Sequence, residues 1–341
     1  MYLIWIIKKL HAARYTLYAV LLIAGCATGL PEKPTGEYLW PPPPETPKIK
    51  WLTQWSNQYD FGRPGIISSL ITGEEAARLS RPSGVVADSA GNIYVADSEL
   101  GVIFVFDQEL NTLRLLGGRI LSSPVGLAID NSTGILYVAD SRQDKVIGLD
   151  KKSGHIVFSL GGPSEFKNPS GIVVDEARDR LYVTDTQNHT VRVFTRKGNP
   201  LFTIGEKGHQ NGKFYYPSYL ALDREGRLYV CDSFNFRVQI FSPDGLFLKT
   251  FGRLGDASGT FTRPKGIGVD SEGHIYVVDA AFNNFQIFDQ DGRLLLWMGK
   301  EGHEPGQFSL PTGMFIDHED RIYVSDTFNR RVQVFQYLKQ K

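Results

Sequence analysis

The stretch "PSGIVVDEARDRLYVTDTQNHTVRVF", from Pro169 to Phe194, contains three short apolar runs separated by polar turns. Its β-branched and aromatic residues are typical of strands, and the Asp- and Asn-containing segments between them are typical of turns. A fourth apolar run, "LFTIG", follows from Leu201 to Gly205. The stretch therefore predicts a unit of four short strands, and that unit recurs along the chain.

Two anchors mark each copy of the unit. The first is Pro-x-Gly-x-x-x-Asp, which begins six times at intervals of 42 to 48 residues, at Pro82, Pro124, Pro169, Pro217, Pro264 and Pro311. The second is Tyr-Val-x-Asp. Its aspartate lies nine or ten residues after the aspartate of the first anchor, at Asp97, Asp140, Asp185, Asp232, Asp279 and Asp326. A third, V-x-V/I-F type run is clearest at residues 191–194, 238–241 and 332–335.

Four antiparallel strands in a repeat of this length correspond to one blade of a β-propeller. A single four-stranded sheet cannot bury both of its faces, and radial stacking against neighbouring blades solves this problem. We therefore predict an all-β fold, a six-bladed β-propeller of four-stranded blades, over residues 81–341.

The repeated pattern resembles the NHL repeat family over residues 81–335. Its elements are the Pro-x-Gly-apolar-Asp anchor, Tyr-Val-x-Asp-Ser/Thr and Asn-x-Arg-Val-Gln-Val-Phe, and the last three repeats match best. The first repeat departs most, because "DSELGVIFVF" lacks the Asn and Arg of the family. The fourth has Tyr219 where the family has glycine.

The strand count predicts how the ring closes. The last repeat ends at Phe335 and lacks a good fourth strand, whereas "IKWLTQW" (Ile49 to Trp55) precedes the first repeat without a blade of its own. We predict that this segment forms the outer strand of the sixth blade, because closure removes an exposed sheet edge. Residues 48–80 then comprise this closing strand and a short connecting segment, with a short helix within residues 66–79.

The N-terminus predicts a bacterial lipoprotein signal over residues 1–25. A basic start (Lys8, Lys9 and Arg14) precedes an apolar run that is short for a bilayer span. The tetrad "IAGC", which ends at Cys26, resembles the lipobox, so the resemblance implies cleavage before Cys26 and attachment of lipid to it. Ala27 is not the aspartate of inner-membrane retention, which favours the outer membrane or cell surface. A signal-anchor, or a chance cysteine at the end of an apolar helix, is the alternative.

Residues 26–47 are predicted to be a lipidated cysteine followed by a proline-rich tether. "GLPEKPTGEYLWPPPPETP" contains seven prolines and favours a polyproline II path. At about 3.1 Å per residue, some twenty residues reach roughly 60 Å. A proline-rich ligand for a partner domain is the alternative.

Composition and charge argue against several functions. The 37 basic and 37 acidic residues of the whole chain balance, and removal of residues 1–25 leaves a formal charge of −3, so no nucleic-acid partner is expected. The chain has two cysteines. If Cys26 carries lipid, Cys231 has no disulfide partner within the chain, and we interpret it as a small buried hydrophobe.

In a propeller, the inter-blade linkers and the turns between strands two and three share one face. That face is expected to bind a protein or a small ligand, because it carries exposed aromatic residues beside Asn and Arg. The alternative for each ring is packing between blades. The predicted binding residues are Tyr215, Tyr216, Tyr219, Phe234, Phe236, Phe282, Asn283, Phe328 and Arg330. Tyr219 is expected near the central channel, where it would narrow or line the mouth.

The enzymatic alternative is a hydrolase- or lyase-type metalloenzyme at the channel mouth. The histidines on the candidate face, and hence the candidate metal ligands, are His189, His209 and His303, which we interpret as solvated loop residues. No familiar hydrolase or metalloprotease motif is present. The six second-anchor aspartates are interpreted as turn caps because they recur in every blade. We therefore expect no catalytic residue, no metal and no cofactor, and an envelope protein or small ligand of unknown identity as partner.

Overall fold

Five repeats each fold into a four-stranded antiparallel sheet, and the sixth contributes three strands to a five-stranded sheet that two N-terminal strands complete. These six sheets are the blades of the propeller. The computed structural model describes residues 36–61, 77–108, 110–162 and 165–339. The predicted signal segment, Cys26, the first part of the predicted tether and most of the predicted helix within 66–79 lie outside the described residues. The described residues from Tyr38 onward form one compact unit.

The blades follow the chain in order, and every strand of a blade is antiparallel to its neighbours. The first blade comprises β3 (Pro82–Ala87), β4 (Ile93–Asp97), β5 (Val102–Asp107) and β6 (Thr112–Leu116). The second comprises β7 (Pro124–Asp130), β8 (Ile135–Asp140), β9 (Lys145–Asp150) and β10 (Ile156–Gly161). The third comprises β11 (Pro169–Asp175), β12 (Arg180–Asp185), β13 (Thr190–Thr195) and β14 (Pro200–Ile204). The fourth blade comprises β15 (Pro217–Leu222), β16 (Leu228–Asp232), β17 (Arg237–Phe241) and β18 (Phe247–Phe251). The fifth comprises β19 (Pro264–Val269), β20 (Ile275–Asp279), β21 (Asn284–Phe288) and β22 (Leu294–Met298). The sixth comprises β23 (Pro311–Ile316), β24 (Arg321–Asp326) and β25 (Arg331–Tyr337), and it is completed by β2 (Ile49–Trp55) and β1 (Leu39–Trp40). Short 3-10 helices lie at Gln58–Phe61, Thr186–Asn188 and Ser233–Asn235.

The first strand of each blade lies innermost and packs against the first strands of both neighbours. These contacts run around the whole ring and include β23 of the last blade against β3 of the first. The ring is therefore closed, as the six repeats predicted.

The predicted closing strand is confirmed. β2 pairs antiparallel with β25, from Ile49 opposite Tyr337 to Trp55 opposite Val332. The strand count predicted this position for β2 because the last repeat supplies only three strands. This pairing satisfies the outward-facing backbone groups of β25, which would otherwise form an exposed edge.

Part of the predicted tether is instead packed on the propeller. Leu39–Trp40 form β1, which pairs with β2. The Trp40 ring meets Phe335 edge to face at 6.0 Å, and Tyr38 meets Trp51 at 5.7 Å. These ring contacts hold the segment against the last blade, where a free tether was expected.

The core consists of six apolar clusters, each between two consecutive blades. The Tyr of every second anchor is almost fully buried there, at no more than 2% exposure: Tyr94, Tyr137, Tyr182, Tyr229, Tyr276 and Tyr323. In four blades its hydroxyl donates to the aspartate of the first anchor, as Tyr276 does to Asp270 at 3.0 Å. The repeat therefore satisfies its own buried hydroxyl.

The aspartate of the second anchor holds the inter-blade linker. Asp279 accepts the backbone N–H groups of Thr262 and Arg263 at 2.7 and 3.0 Å, and Asp326 accepts that of Ser309 at 2.7 Å. All six of these aspartates are at most 1% exposed. Their interpretation as backbone caps agrees with these bonds.

The glycine of the first anchor permits close approach of the next blade. A Cβ added at Gly126 would lie 1.9 Å from the Ser170 carbonyl oxygen, and one at Gly313 would lie 2.0 Å from that of Ser83. Only a residue without a side chain fits these positions.

No helix among the described residues is long and apolar enough to cross a membrane.

Deleting residues 48–56 is expected to lower the melting temperature sharply, because β25 loses its outer neighbour and the core loses buried Ile49 and Trp51. Thermal unfolding followed by circular dichroism measures this. Leu52→Ala, at a 40% exposed position of the same strand, is the control and should change little. An unchanged melt of the deletion variant would contradict the closing role.

Gly126→Ala is expected to destabilise the protein by about 1–3 kcal/mol, because the new methyl group meets the neighbouring blade. Gly118→Ala is the matched control, since a Cβ there meets nothing within 4 Å. Urea unfolding of both variants measures the difference. Equal stabilities would show that the blades separate at no cost.

Candidate ligand-binding mouth of the central channel

The inter-blade linkers and the turns between strands two and three share one face of the propeller, as the strand order predicts. Backbone bonds join the two kinds of loop: Phe234 N–H donates to Tyr215 at 3.1 Å, and Phe328 N–H donates to Ser309 at 3.0 Å. We call this the loop face. The predicted binding residues lie in these loops or at the start of an inner strand.

The central channel contains two cavities. The inner one, of about 290 Å³, is lined mainly by apolar side chains of the inner strands. The outer one, of about 380 Å³, lies at the loop face, and we call it the mouth. Tyr219 borders both cavities.

Tyr219 reaches across the channel. It starts on β15 of the fourth blade and interacts with the side chain of Thr312, which lies on β23 of the sixth. Burial raises the pKa of the Tyr219 hydroxyl, and the interaction with Thr312 opposes this effect only in part. The structure therefore places Tyr219 at the floor of the mouth, where it narrows the channel.

The mouth is lined by one residue of each Pro-x-Gly anchor, namely the variable residue after the proline. These residues are Ser83, Val125, Ser170, Ser218, Lys265 and Thr312. Sequence reasoning missed this ring because it followed the invariant positions of the repeat. The signal was present in the sequence, since Lys265 is the one charged residue among the six.

An aromatic cluster flanks the mouth at the junction of the third and fourth blades. It consists of Tyr215, Tyr216 and Phe234, with His189 and His209 packed beside them. Ring centroids are 5.0 Å apart for Tyr215 and Tyr216, and 5.1 Å apart for Tyr216 and Phe234. Phe234 remains 56% exposed, and Tyr216 and Phe234 also line the mouth.

His189 is not solvated, contrary to its interpretation from the sequence. Its ring stacks on Tyr215 with centroids 5.3 Å apart, and only 6% of the residue is exposed. Its Nδ1 accepts the Tyr216 backbone N–H at 3.1 Å. Burial lowers the pKa of His189, as does the charge of Lys207, so the neutral ring is favoured. Pattern reasoning placed it in a loop tip but did not foresee the tyrosines that cover it.

The other two candidate histidines have different surroundings. The His209 Nδ1 hydrogen-bonds the Asn235 Oδ1 at 2.6 Å, and His303 is exposed in the last inter-blade linker. Among the described residues, no group of three or more His, Cys, Asp or Glu side chains is placed to hold a metal ion.

Of the other predicted aromatic residues, one lines the mouth and one packs in the core. Phe328 lines the mouth at 55% exposure, with the Arg81 guanidinium 5.9 Å from its ring centroid. Phe236 instead packs partly buried against the core between the fourth and fifth blades. For this ring, packing between blades was the correct alternative.

Phe282, Asn283 and Arg330 lie outside the mouth. Phe282 and Asn283 line a separate surface depression beside Trp297, and the Asn283 Oδ1 accepts the Leu310 backbone N–H at 2.7 Å. Arg330 is exposed on the turn after β24. The structure therefore brings five of the nine predicted residues to the mouth or its aromatic cluster: Tyr215, Tyr216, Tyr219, Phe234 and Phe328.

Cys231 is a buried free thiol on β16, within the core between the fourth and fifth blades. Burial raises the pKa of the thiol, so the thiolate is disfavoured. This agrees with its interpretation as a small hydrophobe.

Comparison with known families detects NHL repeats in three of the six copies. They include the first, which was expected to depart most, and only the fourth of the last three, which were expected to match best. The model of the NHL repeat matches residues 79–106, 166–194 and 214–241, and a family described as a 6-bladed beta-propeller matches residues 270–339. The NHL repeat-containing protein 2 of Bos taurus is 27% identical over 152 residues, which are 34% of this chain and 21% of that protein. The chain thus spans about a fifth of the length of this curated relative.

Solved structures share the fold at low identity. An auxiliary nutrient binding protein from Bacteroides thetaiotaomicron is 14% identical with a TM-score of 0.61, over 76% of this chain and 70% of that one. Virginiamycin B lyase from Staphylococcus aureus is 12% identical with a TM-score of 0.56, over 85% of this chain and 100% of that one. At these identities the likeness concerns the fold alone.

Phe236→Ala is expected to lower the free energy of unfolding by about 1–2 kcal/mol, because the ring is partly buried between blades. Phe328→Ala, at a 55% exposed ring, is the matched control and should stay within about 0.5 kcal/mol of the unaltered protein. Chemical unfolding compares the two. A larger loss for Phe328→Ala would reverse the assignment of core and surface.

Proposed function

Because the chain is a six-bladed β-propeller that contains NHL repeats, we propose that it is a binding scaffold of the bacterial cell envelope. In this proposal a lipid on Cys26 anchors it to the outer membrane or cell surface. The mouth and its aromatic cluster then take up a ligand or a protein partner. Fold alone does not determine this role, so the proposal depends on the site.

The observation that carries the proposal is the combination of a cavity and exposed rings at one place. Phe234 and Phe328 are 56% and 55% exposed, and both line the mouth. Exposed aromatic side chains beside a concave site are what binding surfaces use, because they bury a large area at low cost in side-chain entropy. The solved nutrient-binding propeller has a role compatible with this one.

The anchor is supported by the two cysteines together. Cys231 is buried in the core, which leaves Cys26 as the candidate for lipidation, and Cys26 follows an apolar run and the small residues Ala24 and Gly25 in the sequence. A lipid at this position would hold the protein at a membrane without a spanning helix.

A photo-crosslinking amino acid in place of Phe234 tests the proposal in the full chain in native membranes. We expect a covalent adduct, detected as a mass shift, because this ring lines the mouth. The matched control has the crosslinker in place of Trp297, which is 51% exposed on the outer strand β22 and should give no such adduct.

A second arm uses Cys26→Ser in the same background, with Cys231→Ala as its control. Cys26→Ser should abolish incorporation of labelled palmitate and move the protein out of the membrane fraction, whereas Cys231→Ala should retain both. Equal adducts at positions 234 and 297 would overturn the binding surface, and palmitate retained in Cys26→Ser would overturn the anchor.

A further inference from the structure

Three cations line the mouth without an ion pair. Lys265 lies on β19 of the fifth blade, Arg263 precedes it in the linker, and Arg81 holds the equivalent linker position before the first blade. Within the described residues, none of these three side chains has a salt bridge or a hydrogen bond. Arg81 and Arg263 are exposed, and the Arg81 guanidinium lies over the Phe328 ring, whereas Lys265 is half-buried. For Lys265, a charge partly removed from water without a partner is costly.

Lys265 is the central member of this group. It occupies the variable position of the Pro-x-Gly anchor, so its side chain enters the mouth from an inner strand. Burial lowers the pKa of its ammonium group, as does the neighbouring positive charge of Arg263. An anion in the mouth would relieve both effects.

The mouth offers no carboxylate to these cations, since none of the described lining residues is acidic. The nearest buried aspartates are occupied by the backbone. Asp97 accepts the N–H groups of Ser80 and Arg81 at 2.6 and 3.0 Å, and Asp279 accepts the N–H of Arg263 at 3.0 Å. Their charge therefore stabilises the linkers and makes no ion pair with the cations of the mouth.

Two of the hydroxyl groups that line the mouth donate to backbone carbonyls. Thr327 donates to the Pro82 carbonyl at 2.9 Å, and Ser83 lies 3.0 Å from that of Pro124. Each hydroxyl has one proton to give. These two hydroxyl groups are therefore engaged by the backbone, whereas the three cations donate to no described residue and remain available to a ligand.

The two sides of the mouth differ in chemistry. Arg263, Lys265 and Arg81 lie on the side formed by the fifth, sixth and first blades, whereas Tyr216 and Phe234 lie at the junction of the third and fourth. A ligand that spans the mouth meets three cations and the Phe328 ring on one side, and Tyr216 and Phe234 without a cation on the other. The cavity of about 380 Å³ is at the lower end of the size of small-molecule sites, roughly 300–1,000 Å³.

We propose that the mouth binds a small organic anion, with its carboxylate or phosphate group held by Lys265, Arg263 and Arg81 and its apolar body against Tyr216 and Phe234. Tyr219 forms the floor and limits how deep the ligand enters. This inference rests on the proposed function and names the class of ligand that the scaffold takes.

Isothermal titration of the detergent-solubilised full-length protein tests the inference. The probes are phenyl phosphate and phenylacetate, which distinguish the two anionic groups, and phenyltrimethylammonium as the cationic counterpart. At least one anion should bind at one site per chain, and the cation should not bind. Lys265→Gln should weaken the anion about tenfold or more, because it removes a charge-assisted hydrogen bond.

Lys300→Gln is the matched control, since Lys300 is exposed outside the mouth. It should leave the affinity unchanged, and Lys265→Arg should restore most of it. Thermal melts of each variant establish that folding is intact. A Lys265→Gln variant that fails to fold is replaced by Arg263→Gln, which is expected to weaken the same anion.

Absence of anion binding to the unaltered protein would overturn this inference, as would equal affinities in Lys265→Gln and Lys300→Gln. If the crosslinker at position 234 still captures a partner in that case, the proposed function stands and the ligand class is wrong. If anions bind but no crosslink forms in membranes, the site stands and the envelope scaffold role fails.

Discussion

A buried aspartate at the end of the second strand of each blade is the constraint on which the loop face depends. Burial raises the pKa of Asp185, Asp232, Asp279 and Asp326, because a charged carboxylate is costly inside the protein. The cost is offset by donors that converge on the same oxygens. Each aspartate thereby connects the linker that leads into its blade to the end of the second strand of that blade.

The Asn-x-Arg-Val-Gln part of the repeat has a physical explanation in this interaction. In the sixth blade Asn329, Arg331 and Gln333 all donate to one oxygen of Asp326, at 2.9, 2.7 and 3.1 Å. In the fourth blade the equivalent residues do the same to Asp232. A side chain that breaks this set would leave a buried charge without its partners, so the motif is a unit of structure.

Because the same structural residues recur in the six blades, the residues that differ between blades are the candidates for function. Tyr219 replaces a glycine, and its side chain crosses the channel to the sixth blade. Lys265 replaces a hydroxyl or a small apolar residue on the inner strand. Sequence reasoning recognised the first substitution because it breaks an invariant position. It missed the second because Lys265 stands where the repeat tolerates variation. It also misjudged His189 and Phe236, since their surroundings come from loops of a neighbouring blade.

The sequence by itself determined the number of blades, the strands within them and the strand that closes the ring, because each of these follows from local period and from counting. Ile49–Trp55 had no other sheet to join. Only the tertiary structure decided which loop residues reach the mouth and that Leu39–Trp40 pack on the last blade. The reason is geometric: Arg81, Lys265 and Phe328 come from three repeats that are far apart in the chain. Closure of the ring places these residues around one axis, and the sequence pattern of a single repeat does not predict which side chains meet there.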